Sequence, residues 1–249
     1  MTIINKAYGL TCYLLGILSL LLFIAFAANL FGALGLTSIQ SLDIDQLNSA
    51  PADNPLLVDI GLLALFGLQH TIMARPGFKA IWTKLVPAHL ERSTYVLLSA
   101  VVLYILVVNW QPVAGSVWHL ENSAARWVLH ILYAAGWIIS FQASQQINPS
   151  YLMGLRQSFS GDAVDHRKQF KTPVFYQYVR HPIQAGVVLS LVATPDMTVG
   201  RFVLAAGMIV YVIIALKFEE RDLIAEFGDT YRDYKKRVPA LIPWKGRMA

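Results

Sequence analysis

Arg180, His181 and Pro182 put a cation, an imidazole and a rigid ring side by side, and after an apolar stretch Glu219 and Glu220 add two carboxylates. Proline fixes its own φ and disfavours helix in the residue before it, so His181 is held extended just ahead of a new helix. The first N–H groups of that helix lack internal partners, and with Arg180 beside them they can receive a carboxylate or another anion. Gly186, one turn on, lets a backbone or a ligand come close. Taken alone, Arg-His-Pro is also what a basic anchor at a membrane surface looks like.

The acidic segment changes that balance. Lys217 to Phe227 reads as a helix ended by Gly228, and Asp229 can cap a second helix carrying Tyr231, Tyr234 and Val238 on one face. Adjacent helical residues point about 100° apart, so only one of Glu219 and Glu220 faces a ligand directly. On the helix alone, a solvated Lys217 to Glu220 pair worth a few tenths of a kcal/mol would account for them. The acids return the chain to the membrane face that carries Arg180 and His181, however, and charge there is costly unless it binds something. A ligand of both charge signs is the sharper reading. S-adenosylmethionine fits, with a carboxylate for Arg180 and a ribose, an ammonium and a sulfonium for carboxylates.

The elements that must position these groups are membrane helices. Of 249 residues 56% are hydrophobic and only 14% charged, where a soluble domain carries roughly 25% charged residues. Four apolar segments, about Tyr8 to Leu36, Leu56 to Ala74, Thr94 to Trp110 and Ala124 to Gln142, approach the roughly 20 residues that span a bilayer. The first runs well past the apolar core of a secretory signal and reads as a span. A fifth region, Ile183 to Leu216, is broken by Pro195, Asp196 and Gly200. Its first arm, Ile183 to Thr194, is about 18 Å long as a helix, too short to cross without tilt, so the region reads as a hairpin.

Basic residues sort by side. Lys6, the group from Arg75 to Arg92, the group from Arg156 to Arg180 and the group from Lys217 to Arg247 fall on alternate loops, leaving Arg126 and Arg201 opposite. The positive-inside rule then puts both termini in the cytoplasm. The first outer loop carries Asp43, Asp45 and Asp53 and no Lys or Arg, and Ser158 to Lys171 reads as a polar cytoplasmic loop. The net charge of +5 lies between spans, which points to anionic lipid headgroups and away from nucleic acid.

Cys12, the only cysteine, lies within the first span and reads as a small lipid-facing residue, so neither a disulfide framework nor a thiolate metal site is expected. His89, His119, His130 and His166 lack ligand spacing, and no metal site is expected.

Residues 178 to 243, with YVRHPIQAG and FEERDLIAEFGDTYRDYKKRVPALIP around an apolar hairpin, resemble the membrane methyltransferases typified by isoprenylcysteine carboxyl methyltransferase and phospholipid methyltransferase. The resemblance implies cofactor contacts at Tyr178, Arg180, His181, Pro182, Gly186, Glu219 and Glu220; Gln184 stands where relatives often carry Tyr. The segments from Gln69 to Lys79, Glu91 to Tyr95 and Gly154 to Gln157 are similar to the bacterial methanethiol S-methyltransferases and their NnrU-like cousins. Relatives carry a His-aromatic-acid stretch where this chain reads Pro149-Ser150-Tyr151, which bears on the acceptor.

The resemblance implies S-adenosylmethionine-dependent methylation of a small thiol, methanethiol giving dimethyl sulfide first. Such an enzyme needs a group to take the thiol proton or orient the residue that does, because thiolate is the competent nucleophile. His70 is the candidate, with Arg156 and Gln157 closing over donor or acceptor, and His70, Arg75, Tyr95 and Tyr151 lining the acceptor side. Glu91 and Arg92 read as a structural ion pair holding the His70 to Lys79 loop.

The expectation is an all-α, polytopic membrane helix bundle of four full spans plus a C-terminal helical hairpin, five to six membrane segments, with N- and C-termini cytoplasmic. It is a single domain, 1–249, with the cofactor-binding part at about 147–249, in a bacterial inner membrane with its active site facing the cytoplasm. Three other readings share these residues: a methyltransferase acting on a prenylated or lipid-like carboxylate, an NADPH-dependent membrane reductase, and a non-catalytic NnrU-like membrane protein.

Overall fold

In the computed structural model, residues 1–46, 52–161 and 170–244 are described. His166, Arg167, Lys168, Lys245 and Arg247, counted above among histidines and basic loops, lie outside them. The elements that matter here are α1 (Ile3–Ala28), α2 (Pro55–Ala74), α3 (Pro76–Trp82), α4 (Glu91–Asn109), α5 (Ser123–Gln146), α6 (Leu155–Ser160), α7 (Pro182–Val192), α8 (Val199–Phe227) and α9 (Asp229–Arg237). Two short strands, β1 (Ser116–His119) and β2 (Asp196–Thr198), make a two-stranded ladder.

Among the described residues, five helices are long and apolar enough to cross a membrane, and α7 is a shorter apolar arm, so the chain is an integral membrane protein with the expected all-α architecture. Helix α7 has 11 residues, about 16 Å at 1.5 Å per residue, short of the roughly 30 Å of hydrocarbon. Helix α8 has 29, about 43 Å, so its last turns, from Lys217 onward, extend past an apolar slab of that thickness. The break between them runs from Ala193 through β2; Gly200, expected to interrupt the hairpin, lies in the first turn of α8 instead.

The chain forms two compact units. The first comprises Met1–Val117, Ser150–Asp165 and Thr198–Leu204. In it α4 packs against α1 and α2, and α6 packs against α1. Helix α1 is apolar all round, and its inward stripe consists largely of small residues, Gly9, Cys12, Gly16 and Ser19. Cys12 is therefore buried, 1% exposed, and not lipid-facing as expected. Small side chains let membrane helices approach closely, and a Cβ on Gly16 would stand 2.6 Å from Val96. Leu57, Ile60, Leu65, Leu68 and Ile72 on α2 are exposed, which suits contact with acyl chains.

The second unit comprises Trp118–Pro149, His166–Met197 and Ala205–Ala249. Its main contact is α5 against α7. A Cβ at Gly136 would lie 2.5 Å from the Gly186 carbonyl oxygen, and one at Gly186 would lie 2.3 Å from that of Gly136, so backbone meets backbone. The Ser140 hydroxyl donates to Ile183 O at 2.7 Å and the Ser190 hydroxyl to Tyr133 O at 2.8 Å, stitching the crossing from both sides. Gly186 thus spends its close approach on α5.

Candidate active site

In the second unit, His181 has φ −127° and ψ 66° and caps α7, with Pro182 at the first helical position, as the proline constraint predicts. The segment is pinned from behind: Arg180 N–H donates to Pro239 O at 2.8 Å and His181 N–H to Ala240 O at 3.1 Å. Arg180 donates to Glu220 Oε1 from Nε at 2.7 Å and Nη2 at 2.6 Å. Its Nη1 donates to Lys235 O and Val238 O, among the terminal carbonyls of α9. A guanidinium has five N–H donors, so this pattern leaves a single Nη2 N–H. His181 Nε2 lies 3.1 Å from Glu220 Oε1, and Lys235 Nζ lies 2.6 Å from Oε2.

The two carboxylates diverge as the helical angle requires. Glu220 is buried and surrounded by Arg180, His181 and Lys235, in place of the Lys217 surface pair considered from sequence. Glu219 is half-buried and makes no hydrogen bond or ion pair among the described residues. Tyr231 and Tyr234 are buried with Val238 on one face of α9, as expected, with Phe170, Leu223, Ile224 and Phe227 packed on them. The cap of α9 is Gly228; Asp229 sits in its first turn.

Tyr234 OH donates to Tyr176 O at 2.6 Å, whereas the Tyr231 hydroxyl is buried with no hydrogen-bond partner among the described residues. Burial raises the phenols of Tyr176 and Tyr231 above the ordinary tyrosine range, and the Glu219 charge adds to it at both. Tyr176 escaped the sequence reading because it lies in a single 3-10 turn, Val174–Gln177, with no periodic pattern around it. Tyr178 is exposed at the surface of this unit.

In the first unit, a second cluster forms where α2 ends. The His70 ring lies 5.3 Å from that of Phe66 and 5.0 Å from that of Tyr95, its Nδ1 is 3.2 Å from Ser99 Oγ, and Tyr95 OH donates to His70 O at 3.4 Å. Arg75 donates from Nε to Thr71 O at 3.1 Å. Met73, Tyr95 and Val96 form a buried core against which Phe78, Trp82 and Met153 pack.

Arg92 lies over the Tyr95 ring at 4.6 Å and donates to Leu152 O at 2.6 Å, so the expected Glu91–Arg92 pair is replaced by Glu91 with Lys79, 4.0 Å apart. The Ser93 hydroxyl donates to Gly154 O at 3.0 Å. Gly154 has φ +82° and a Cβ there would meet Ser93 N at 2.5 Å, so both conformation and space require glycine. Gln157 is 5% exposed, donating to Tyr151 O at 3.0 Å with its Oε1 buried and unpartnered among the described residues, while Arg156 is exposed.

The structure thus gathers His70 with Tyr95, and Tyr151 with Gln157, in the first unit, and Arg180 with His181 and Glu220 in the second. Among the described residues, no three His, Cys, Asp or Glu side chains gather in a way that could hold a metal ion.

No family model and no solved structure matches the chain. It is 39% identical to the methanethiol S-methyltransferase of Crocosphaera subtropica over 97% of this chain and 92% of that protein. It is 42% identical to methanethiol S-methyltransferase 2 of Bradyrhizobium diazoefficiens, over 88% of this chain and 86% of that protein. A Nurim homolog of Drosophila pseudoobscura pseudoobscura is 28% identical over 87% of both chains. With identity at that level running through nearly all of both partners, this chain belongs to the methanethiol S-methyltransferase family.

Proposed function

We propose that the chain transfers the methyl group of S-adenosylmethionine to methanethiol, releasing dimethyl sulfide, from the cytoplasmic face of a bacterial inner membrane. The observation that carries this reading is the near full-length likeness to relatives named for that reaction. The donor supplies a methyl group already activated on a positively charged sulfur, so the protein's work is to align reactants, favour thiolate and exclude water.

The residues of the second unit suit such a donor. Among the described residues, Glu219 is a carboxylate without an ion pair and the Tyr231 phenol a buried donor without an acceptor, so a cation bearing hydroxyl groups satisfies both. Arg180 offers its remaining Nη2 N–H to a carboxylate, and His181 and Pro182 set where α7 begins. Glu220 acts by holding Arg180 and His181 in place. In the first unit, His70 takes the thiol proton or orients the residue that does, with Tyr95 as its wall and Arg75 at the helix end. Gln157 and Tyr151 close the cluster with Arg156 at the surface.

The test is to give purified protein S-adenosylmethionine and methanethiol and to assay the headspace for dimethyl sulfide. No product with methanethiol, hydrogen sulfide or longer thiols overturns the reading.

A further inference from the structure

We propose that Glu91 is the carboxylate that receives the acceptor's proton and that Trp82 holds the acceptor's sulfur, an inference that rests on the thiol reading above. Glu91 opens α4 and is 9% exposed, yet its Oε1 has no hydrogen-bond partner, and its only ion pair among the described residues is the long 4.0 Å contact of Oε2 with Lys79. A buried carboxylate oxygen left unpaired is expensive and calls for a ligand. The Trp82 indole N–H, a donor, is also buried without a partner among the described residues.

The two orphans belong to one corner. Lys79 and Trp82 are three residues apart on α3 and so share a face, and Lys79 is the residue that reaches Glu91. Glu91 and Tyr95 are four apart on α4, and Trp82 packs on the core made by Tyr95, Met73 and Val96. The surroundings are apolar, aromatic and sulfur-containing, with Phe78 stacked on Trp82 at 5.7 Å and Met73 and Met153 close by. A small thiol matches this set: its sulfur accepts weakly from an indole N–H, its S–H donates to a carboxylate, and polarizable sulfur packs well on aromatic edges.

The chemistry balances. The S–H bond breaks with the proton passing to Glu91 Oε1, the sulfur's electron pair forms the new bond to methyl carbon, and the old carbon–sulfur bond breaks with its pair staying on the donor's sulfur. Lys79 holds the other carboxylate oxygen, Oε2, at 4.0 Å and leaves Oε1 to the acceptor. His70, whose ring lies 5.0 Å from that of Tyr95, then acts by positioning.

Glu91→Gln keeps shape and loses the base. Its kcat with methanethiol should fall by about 100-fold, the usual worth of a placed general base, while S-adenosylmethionine binding by calorimetry stays as in the unsubstituted chain. With methaneselenol, which reaches the site already ionised, the same variant should turn over close to the unsubstituted chain. Trp82→Phe should raise KM for methanethiol about tenfold, the worth of one hydrogen bond at the upper end, with the donor's KM unchanged. Dimethyl sulfide from the unsubstituted chain together with undiminished turnover by Glu91→Gln, or with an equal loss on thiol and selenol, overturns this inference alone. No dimethyl sulfide from the unsubstituted chain overturns the thiol reading and this inference with it. Should Glu91→Gln lose donor binding through misfolding, Trp82→Phe decides: an unchanged KM for methanethiol overturns the proposal.

Discussion

Arg180 and Glu220 are locked to each other, with both Nε and Nη2 of the guanidinium within 2.7 Å of one carboxylate oxygen and both side chains only 9% exposed. The pair welds the start of α7 to the end of α8, and Nη1 extends the weld to the last carbonyls of α9. Three chain segments thus meet at one charge pair, and the neighbouring Glu219 keeps a carboxylate uncommitted.

The adjacent acids should therefore separate cleanly on substitution. Glu220→Gln leaves Arg180 and Lys235 short of a counter-charge, and breaking a buried pair from one side costs roughly 3–5 kcal/mol. Its thermal midpoint in detergent should fall steeply. Glu219→Gln should keep the midpoint and weaken S-adenosylmethionine binding about tenfold by calorimetry, the scale of one charge-assisted hydrogen bond. The reverse pattern would assign the two roles the other way round.

The crossing of α5 and α7 should be intolerant of a methyl group. An alanine at Gly186 brings its Cβ to 2.3 Å from a backbone oxygen that cannot swing away, so the helices must part. Overpacking of this kind costs typically 1–3 kcal/mol, and the thermal midpoint of Gly186→Ala should fall accordingly. Gly61→Ala, where nothing lies within 4 Å, should leave the midpoint unchanged or raise it.

How much of this could be read from residues alone varies with the physics involved. Spans are legible because twenty apolar residues have few other uses, and His181 is legible because Pro182 restricts it locally. The divergence of Glu219 and Glu220 follows from helical geometry, but which one turns inward depends on Lys235 and Val238, whose contacts are long-range. Cys12 was misread because a helix apolar on every side has no polar face to mark its outside. Gly186 announced a close approach without saying to what, and the orphan atoms of Trp82, Glu91 and Gln157 carry no sequence signal at all.

Acid should loosen the far end of the second unit. Asp196 accepts from Arg126 Nη1 and Nη2 at 2.8 and 2.7 Å and faces His119 Nδ1 at 2.6 Å. The Arg126 hydrogen bonds hold its carboxyl below the usual range, against a smaller opposing effect of burial. A depressed acid stabilises the fold fully above its unfolded value, about 3.9, and loses that contribution as pH falls through the lower folded value. The thermal midpoint should thus drop below about pH 4. Asp196→Asn should lower the midpoint at neutral pH and flatten that part of the acid limb; an unchanged acid limb would remove Asp196 from the account.

The two histidines should fail in different ways. His181 is 4% exposed, its Nε2 is on Glu220 and its backbone N–H on Ala240, so it belongs to the framework that presents Glu219 and the start of α7. His70 belongs to the first unit, where it is held by aromatic rings and Ser99. His181→Ala should abolish S-adenosylmethionine binding by calorimetry. His70→Ala should bind the donor as the unsubstituted chain does and lower kcat for methanethiol, by about 10-fold if it only positions the acceptor and by 100-fold or more if it is itself the base. Loss of donor binding in both variants would remove the division of labour between the clusters, and a full 100-fold loss of kcat in His70→Ala, with Glu91→Gln unimpaired, would move the proton acceptor from Glu91 to His70.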